Sequence, residues 1–495
     1  MATLSEPFAD THRDSGRAYL KYLKYLTPPV VRYVEVRADI TGDVPPEPLR
    51  AHISAALLYT LRSTAAGGDC PDSTERRHAR LIAAAGRYDY VDLEADRDLH
   101  PDVLAAIPPE RRVVSWHGAA ADLAGLRRAL DRVTAVKARL YRLVSRADTP
   151  GEAVLPLLLL ASAGRDDVMA YAAGPAGTWT RVLTAKYGAP LAIGRLDAAA
   201  AAGTGPAPPD GELPLPRLLA DYPDRLVSRA ERLYAIIGAS TTLSLAPLVH
   251  NTAYRELDLP ALFLPFSVED LGGALAELGP GLDDLGLPLS GATVVRPHKD
   301  TALELAADAS PLARRAHAAS LLVRTETGWW ADTEAAGVVA TLTGKAAAPA
   351  GRRIAVIGAG GAGRAAAAGL AAAGAEVTLA NRGTGNGERA AALLGLPFVP
   401  LRDLDPTRYS VLVHATPVVD DLLFRMDGLD PETVIFDLNY RAEDTALVAA
   451  ARAGGHVTID GKDMLLAELS RQFQLMTGRT MPTAKVAVAL AGTEG

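Results

Sequence analysis

Residues 354–382, IAVIGAGGAGRAAAAGLAAAGAEVTLANR, constrain this chain more tightly than any other stretch. A run from Ile354 to Ile357 enters a turn whose Gly358, Gly360 and Gly363 keep G-x-G-x-x-G spacing, and an Ala-rich helix leaves it. Gly374 closes that helix before a second strand, Val377 to Ala380. The first glycine permits a tight turn, the second lets backbone approach a pyrophosphate, and the third lets helix and strand pack closely. Free N–H groups at the helix start then face the phosphates; these belong to Gly361, Ala362, Gly363 and Arg364. The second strand ends in Asn381-Arg382, not in the acid that accepts a ribose 2′-hydroxyl. A guanidinium there suits a 2′-phosphate, which it can bind bidentately, so the expected cofactor is NADP.

At 495 residues the length allows about three domains, and 49% hydrophobic with 22% charged residues is an ordinary globular mix. A net charge of −7 gives no reason to expect nucleic acid or an anionic membrane. The single cysteine, Cys70, excludes an internal disulfide and fits a reducing cytoplasm. The N-terminus lacks an apolar signal core, and the longest apolar run, Val154 to Ala161, is far short of the roughly 18 residues of a membrane span. A cytoplasmic protein without membrane, nucleic-acid or metal partners is expected.

Residues 1–28 read as a helical or irregular lead-in. Strands are then predicted at 33–37, 57–62, 88–94, 113–117, 140–144, 168–172 and 191–193, alternating with helix-length stretches. Such alternation predicts parallel β/α units, and seven strands suggest a (β/α)8-type barrel over 29–225, shortened at its N-terminal end. The Ala/Gly/Pro-rich stretch 198–215 reads as a linker-like loop. A second α/β unit is expected over 226–345, a dinucleotide domain over 346–465, and a helix over 466–495 that returns to the second unit.

Several ordered motifs in 233–495 resemble the shikimate dehydrogenase family. Residues 236–254, IIGASTTLSLAPLVHNTAY, resemble its opening strand and Ser-x-Ser-Pro substrate loop, and 291–299, GATVVRPHK, its N-V-T-x-P-x-K segment. WADTEAAG at 330–337 resembles N-T-D-x-x-G; HATP at 414–417 resembles A-T-P; FDLNY at 436–440 resembles D-x-x-Y. DGKDMLLAELSRQF at 460–473 resembles G-x-x-M-L-x-x-Q. The resemblance implies a substrate domain, a Rossmann domain with Thr416 near the cofactor, and a cleft between them for hydride transfer. Oxidising a secondary alcohol needs a base for the hydroxyl proton as hydride departs. In this family a Lys and an Asp do that work, and the matching positions here are Lys299 and Glu334. The matching substrate positions are Ser244, Thr293, Arg324, Thr325, Asp332, Tyr440 and Glu468. Several depart from the family pattern: Ala246 replaces the second serine, Val295 a threonine, Arg324 and Asp332 asparagines, and Glu468 a glutamine. Charges in place of amides change which substrate fits; Arg324, Asp332, Glu334 and Glu468 either partly neutralise one another or recognise a cation such as an amine.

Residues 30–225 resemble type I 3-dehydroquinate dehydratase. The carrying segments are EVRAD at 35–39, TLRS at 60–63, DYVDLE at 89–94, SWHG at 115–118 and GPAGTWTR at 174–181. That family forms a Schiff base on a strand lysine, with a histidine as proton shuttle. His117 holds the histidine position, but Arg142 stands where the lysine belongs, and Lys137 lies outside the strand. A guanidinium stays protonated and cannot condense with a ketone in this way. Glu35, Arg37, Arg62, His117, Arg142 and Arg181 form either an anion pocket or a structural relic.

The order of the modules matches the fused enzymes of the shikimate pathway. The expected function is NADP-dependent oxidoreduction of a shikimate-, quinate- or aminoshikimate-like cyclic polyol acid, beside a barrel that does not dehydrate. Two alternatives stand: a ligand-sensing regulator related to the quinate-pathway repressor, and a working bifunctional dehydratase and dehydrogenase.

Overall fold

The computed structural model of the protein describes residues 1–4, 31–196, 212–242, 244–440 and 443–491. Three sheets organise them. The first has strands β1 (Ala2–Leu4), β2 (Tyr33–Arg37), β3 (Ala56–Thr60), β4 (Tyr90–Glu94), β5 (Arg112–Ala119), β6 (Leu140–Arg146), β7 (Val168–Ala173) and β8 (Gly194–Leu196). Every pairing is parallel, in the order β7-β6-β5-β4-β3-β2-β1-β8, which is the order of a (β/α)8 barrel. Among the described residues the β7–β8 seam is unpaired.

The expected lead-in at 1–28 needs correcting: residues 2–4 form a sheet strand, paired to β2 on one side and β8 on the other. Three residues carry no periodic signal, so only their neighbours give them strand identity. The last barrel strand is also displaced, running over 194–196 and not 191–193. Most of the linker expected at 198–215 lies outside the described residues.

The second sheet runs β10-β9-β11-β13-β14-β12, from β9 (Arg232–Gly238), β10 (Ala261–Ser267), β11 (Leu289–Val294), β12 (Asp308–Ala309), β13 (Leu321–Thr325) and β14 (Gly328–Asp332). Its first three strands are parallel, and β13 and β14 form an antiparallel hairpin. The third sheet is wholly parallel, in the order β17-β16-β15-β18-β19-β20, from β15 (Arg353–Ile357), β16 (Glu376–Asn381), β17 (Phe398–Pro400), β18 (Val411–His414), β19 (Val434–Asp437) and β20 (Thr458–Ile459). Counted along its own chain that is 3-2-1-4-5-6, the doubly wound order whose ligand crevice opens between β15 and β18. Helices cover both faces, which is why β15 reads as an unbroken apolar run: Ile354 and Val356 pack on one side, Ala355 and Ile357 on the other.

The helix Gly461–Thr477 starts in a capping box made by Asp460 and Asp463. It returns to the second sheet, where the Tyr234 hydroxyl donates to the Met476 carbonyl at 3.0 Å. The helix Pro150–Ala163, which holds the apolar run 154–161, is packed between the barrel strands and the helix Leu271–Asp284 of the second unit. No helix among the described residues is long and apolar enough to cross a membrane.

Candidate active sites

At the crevice between β15 and β18, Gly358 has φ +121°, and a Cβ there would lie 2.8 Å from the Ala415 carbonyl oxygen. A Cβ on Gly363 would fall 1.9 Å from the Gly358 oxygen, so the helix Gly361–Ala372 can approach the turn this closely only without a side chain. Beside it lies a recess of about 590 Å³ lined by residues that include Ala359, Gly360, Asn381, Asn386 and Arg389. These bare glycines, the free helix N-terminus and the polar recess fit a dinucleotide. Asn381 pins the loop, accepting from the Ala359 N–H at 3.2 Å and donating to the Gly383 carbonyl at 2.8 Å. Arg382 is exposed at the end of β16, and Arg389, which the sequence reading missed, lies in the recess two helical turns later. Thr416 hydrogen-bonds His414 Nε2 at 2.7 Å, and His414 is in turn held by Asp437 at 3.1 Å.

Arg364 corrects an expectation. Its guanidinium donates to the carbonyls of Ala316 (2.9 Å) and His317 (3.0 Å) and pairs with Asp300. These contacts tie the cofactor helix to the second unit, and the side chain also donates to the Ala359 carbonyl at 3.3 Å and lines the recess; the backbone N–H expected to be free instead donates to the Gly360 carbonyl at 2.9 Å.

Lys299 opens the short helix after β11, and Glu334 immediately precedes the helix Ala335–Lys345 after β14. The Lys299 ammonium donates to Glu334 Oε1, and the Thr333 hydroxyl donates to Oε2 at 3.1 Å. Burial alone would raise the Glu334 carboxyl, but the ammonium beside it prevails and holds it below the usual carboxylate range. A Cβ on Gly361 would lie 3.1 Å from both Cβ and Cδ of Lys299, so the lysine is pressed against the first turn of the cofactor helix.

Around that pair, Asp332 accepts from the Ser310 hydroxyl at 2.6 Å and from Arg471 at 2.8 Å. The Thr293 hydroxyl donates to Gln472 Oε1 at 2.5 Å, and Gln472 Nε2 donates to Glu468 at 2.9 Å. Glu468 is pushed up to about 7, by burial first and by Glu334 second. Ser244 accepts the Ala246 N–H on its hydroxyl at 3.1 Å, while its carbonyl accepts from Arg217 at 2.6 Å. Tyr440 is exposed, three residues after β19.

Arg324 and Thr325 do not belong to this group. Both are exposed at the tip of the β13–β14 hairpin, where Arg324 lies over the Trp329 ring at 5.2 Å and Thr325 donates to the Gly328 carbonyl at 2.8 Å. The hairpin register explains the shift. Leu321 is opposite Asp332 and Arg324 opposite Trp329, so the residue beside Glu334 is Ser320. Its buried side chain faces the Glu334 carboxylate and helps hold that carboxyl low. Gln472 was also missed, although its place one turn after Glu468 is readable from helical spacing.

In the barrel, a cavity of about 620 Å³ is lined by residues that include Glu35, Arg37, Arg62, His117, Arg142 and Arg181. Arg142, 1% exposed, donates to Glu35 at 2.7 Å and pairs with Asp92, an acid the sequence reading did not single out. Burial would raise the Glu35 carboxyl, but Arg142, Arg62 and Arg37 hold it far below the usual range. Arg37 is held by Asp39 through two bonds of 2.9 and 2.7 Å, and Arg181 lies 4.3 Å over the Tyr171 ring. Burial and four surrounding arginines drive the His117 pKa well down, so the ring is neutral. His117 Nε2 and Arg62 Nε are buried without partners. Among the described residues no lysine lines the cavity; Lys137 is exposed, ahead of β6.

The model of type I 3-dehydroquinase matches residues 19–207, and that of the shikimate dehydrogenase substrate binding domain matches 236–322. A chloroplastic bifunctional 3-dehydroquinate dehydratase/shikimate dehydrogenase of Arabidopsis thaliana is 26% identical over 91% of this chain and 78% of its own length. The NADP(+) shikimate dehydrogenase of Halobacterium salinarum is 34% identical over 52% of this chain and 98% of its own length. A solved shikimate 5-dehydrogenase from Thermus thermophilus, in complex with NADP(H) and shikimate, is 27% identical with a TM-score of 0.47, covering 53% of this chain and 99% of that one. With both modules matched in this order, the chain belongs to the shikimate dehydrogenase family and carries a type I 3-dehydroquinase module ahead of the dehydrogenase unit.

Proposed function

We propose that the C-terminal unit is an NADP-dependent oxidoreductase that interconverts a secondary alcohol and a ketone on a cyclic polyol acid of the shikimate or quinate type. The observation that carries this reading is the Lys299–Glu334 pair pressed against Gly361, at the start of the cofactor helix. A dinucleotide seated on Gly358–Gly363, with Arg382 toward its 2′-phosphate, would supply or accept the hydride. In reduction, Lys299 gives its proton to the ketone oxygen as hydride reaches the carbon; in oxidation the hydroxyl proton passes to a neutral Lys299. Glu334 orients the ammonium and stabilises its charge. Ser244, Thr293, Asp332, Tyr440 and Glu468 surround the ring.

The barrel is proposed to bind an anion without forming a Schiff base. Arg142, enclosed by Glu35 and Asp92, supports this reading over the bifunctional one, because it offers no neutral amine to a ketone.

The test is turnover of NADP+ with shikimate, quinate and their amino analogues. The parent should oxidise at least one of them. Lys299→Ala should lose roughly 10²–10⁴ in turnover, the scale of a general acid/base, while still binding NADPH. Equal activity in parent and variant would move the chemistry away from Lys299.

A further inference from the structure

The charges around the dehydrogenase site do not balance. Lys299 is matched by Glu334, and Arg471 by Asp332. Glu468 is the odd one out: among the described residues its polar contact is the neutral amide of Gln472, at 2.9 Å, and no ion pair reaches it. The Thr293 hydroxyl donates to the amide oxygen of Gln472, which directs the Gln472 N–H groups toward Glu468. Glu468 therefore meets this network as an acceptor. It lies in the same recess as Glu334, Asp332 and Ser320.

A half-buried carboxylate with no ion pair of its own is costly, and a ligand that brings the missing charge offsets that cost. We propose that Glu468 recognises a protonated amine on the substrate, so that the dehydrogenase unit acts on an amino-substituted cyclic polyol acid. This inference deepens the oxidoreductase reading above and rests on it for the ring acid. A glutamine at this position would present an amide of the same shape, suited to a hydroxyl; glutamate adds the charge that an ammonium requires. Raised by burial and by Glu334, Glu468 regains full ionisation when an ammonium arrives beside it.

The experiment uses the full-length protein and three probes: shikimate, and the same acid with an amine in place of either hydroxyl that is not oxidised. Turnover with NADP+ and binding by calorimetry in its presence are both measured, for the parent and for Glu468→Gln. One amine should exceed shikimate by roughly 10–100-fold in kcat/KM and in affinity, as expected for one buried charge-assisted contact. Glu468→Gln should reverse that order while binding NADP+ as the parent does, which also reports that it is folded. Amine-selective binding lost in Glu468→Gln, but without turnover, supports this inference and sinks the oxidoreductase reading. Turnover with shikimate preferred by both proteins keeps the oxidoreductase reading and overturns the amine, leaving Glu468 as a protonated donor to a hydroxyl. Failure of every probe to bind overturns it as well.

Discussion

Arg142 shows how much chemistry one side chain can withdraw. An imine needs a neutral amine, and a guanidinium with a pKa above ~12 has none to offer. Its setting strengthens the point: Glu35 and Asp92 hold it from two sides in a buried site, and both favour the charged form. Treating 3-dehydroquinate with borohydride in the presence of the protein should therefore leave no covalent adduct by mass spectrometry, and dehydration should stay at background. Arg142→Lys alone should recover little, since the new ammonium would inherit both carboxylates and remain protonated; an adduct on the parent protein would refute the assignment and reveal the lysine responsible. Arg142, Lys299 and Glu334 were legible in the sequence because residue type alone decides their chemistry. Asp92 and Ser320 were not, because their importance comes from register, whereas Gln472 was readable from helical spacing and was missed. Arg324 was misplaced for the same reason: a hairpin moves it about three residues, or ~10 Å, along the strand from the site.

The element with the most stringent geometry is the turn and helix after β15. Two of its glycines are needed for different reasons, and alanine at each position should separate them. At Gly360 an added Cβ meets nothing within 4 Å, so Gly360→Ala should leave thermal stability near that of the parent while weakening NADPH, whose pyrophosphate approaches there. At Gly363 the same Cβ would fall 1.9 Å from a backbone oxygen, and neither partner is a flexible chain end. Gly363→Ala should therefore cost several kcal/mol of stability as well as NADPH binding, on the scale of a severe core disruption. Thermal melts and NADPH titrations of the two variants check this; equal melting temperatures would mean that the third glycine is dispensable for packing. At this scale the sequence was informative wherever strand and helix were long. It was poor at β1 and β8, three residues each, which owe their existence to pairing with one another.

For the whole molecule, the barrel and the second unit are parts of one folded body. A single apolar core runs from Val154, Leu157 and Leu160 into Leu262, Phe263 and Leu282. Trp179 of the barrel stands edge-on to Phe266 with centroids 5.0 Å apart, the Tyr187 hydroxyl donates to the Leu285 carbonyl at 3.1 Å, and Glu277 accepts from the Gly151 N–H at 3.0 Å. The apolar run 154–161 is thereby explained: its helix buries one side on the barrel and another on its partner helix. Two glycines of that partner test the coupling. In an open helical position, Gly→Ala stabilises by up to ~1 kcal/mol. Gly279 has nothing within 4 Å of an added Cβ, whereas at Gly281 the Cβ would come within 2.8 Å of Val154 Cγ1. Gly279→Ala should accordingly hold or raise stability, and Gly281→Ala should lower it by about 1–3 kcal/mol, the usual cost of overpacking. Adding Val154→Ala should cost less in the Gly281→Ala background than in the parent, because the two side chains compete for one space. Urea unfolding followed by tryptophan fluorescence reads both halves, since Trp116 and Trp179 lie in the barrel and Trp329 and Trp330 in the second unit. The Gly281→Ala shift should appear in both pairs together; a shift confined to the second unit, or equal effects at 279 and 281, would mean that the two modules fold independently of this contact.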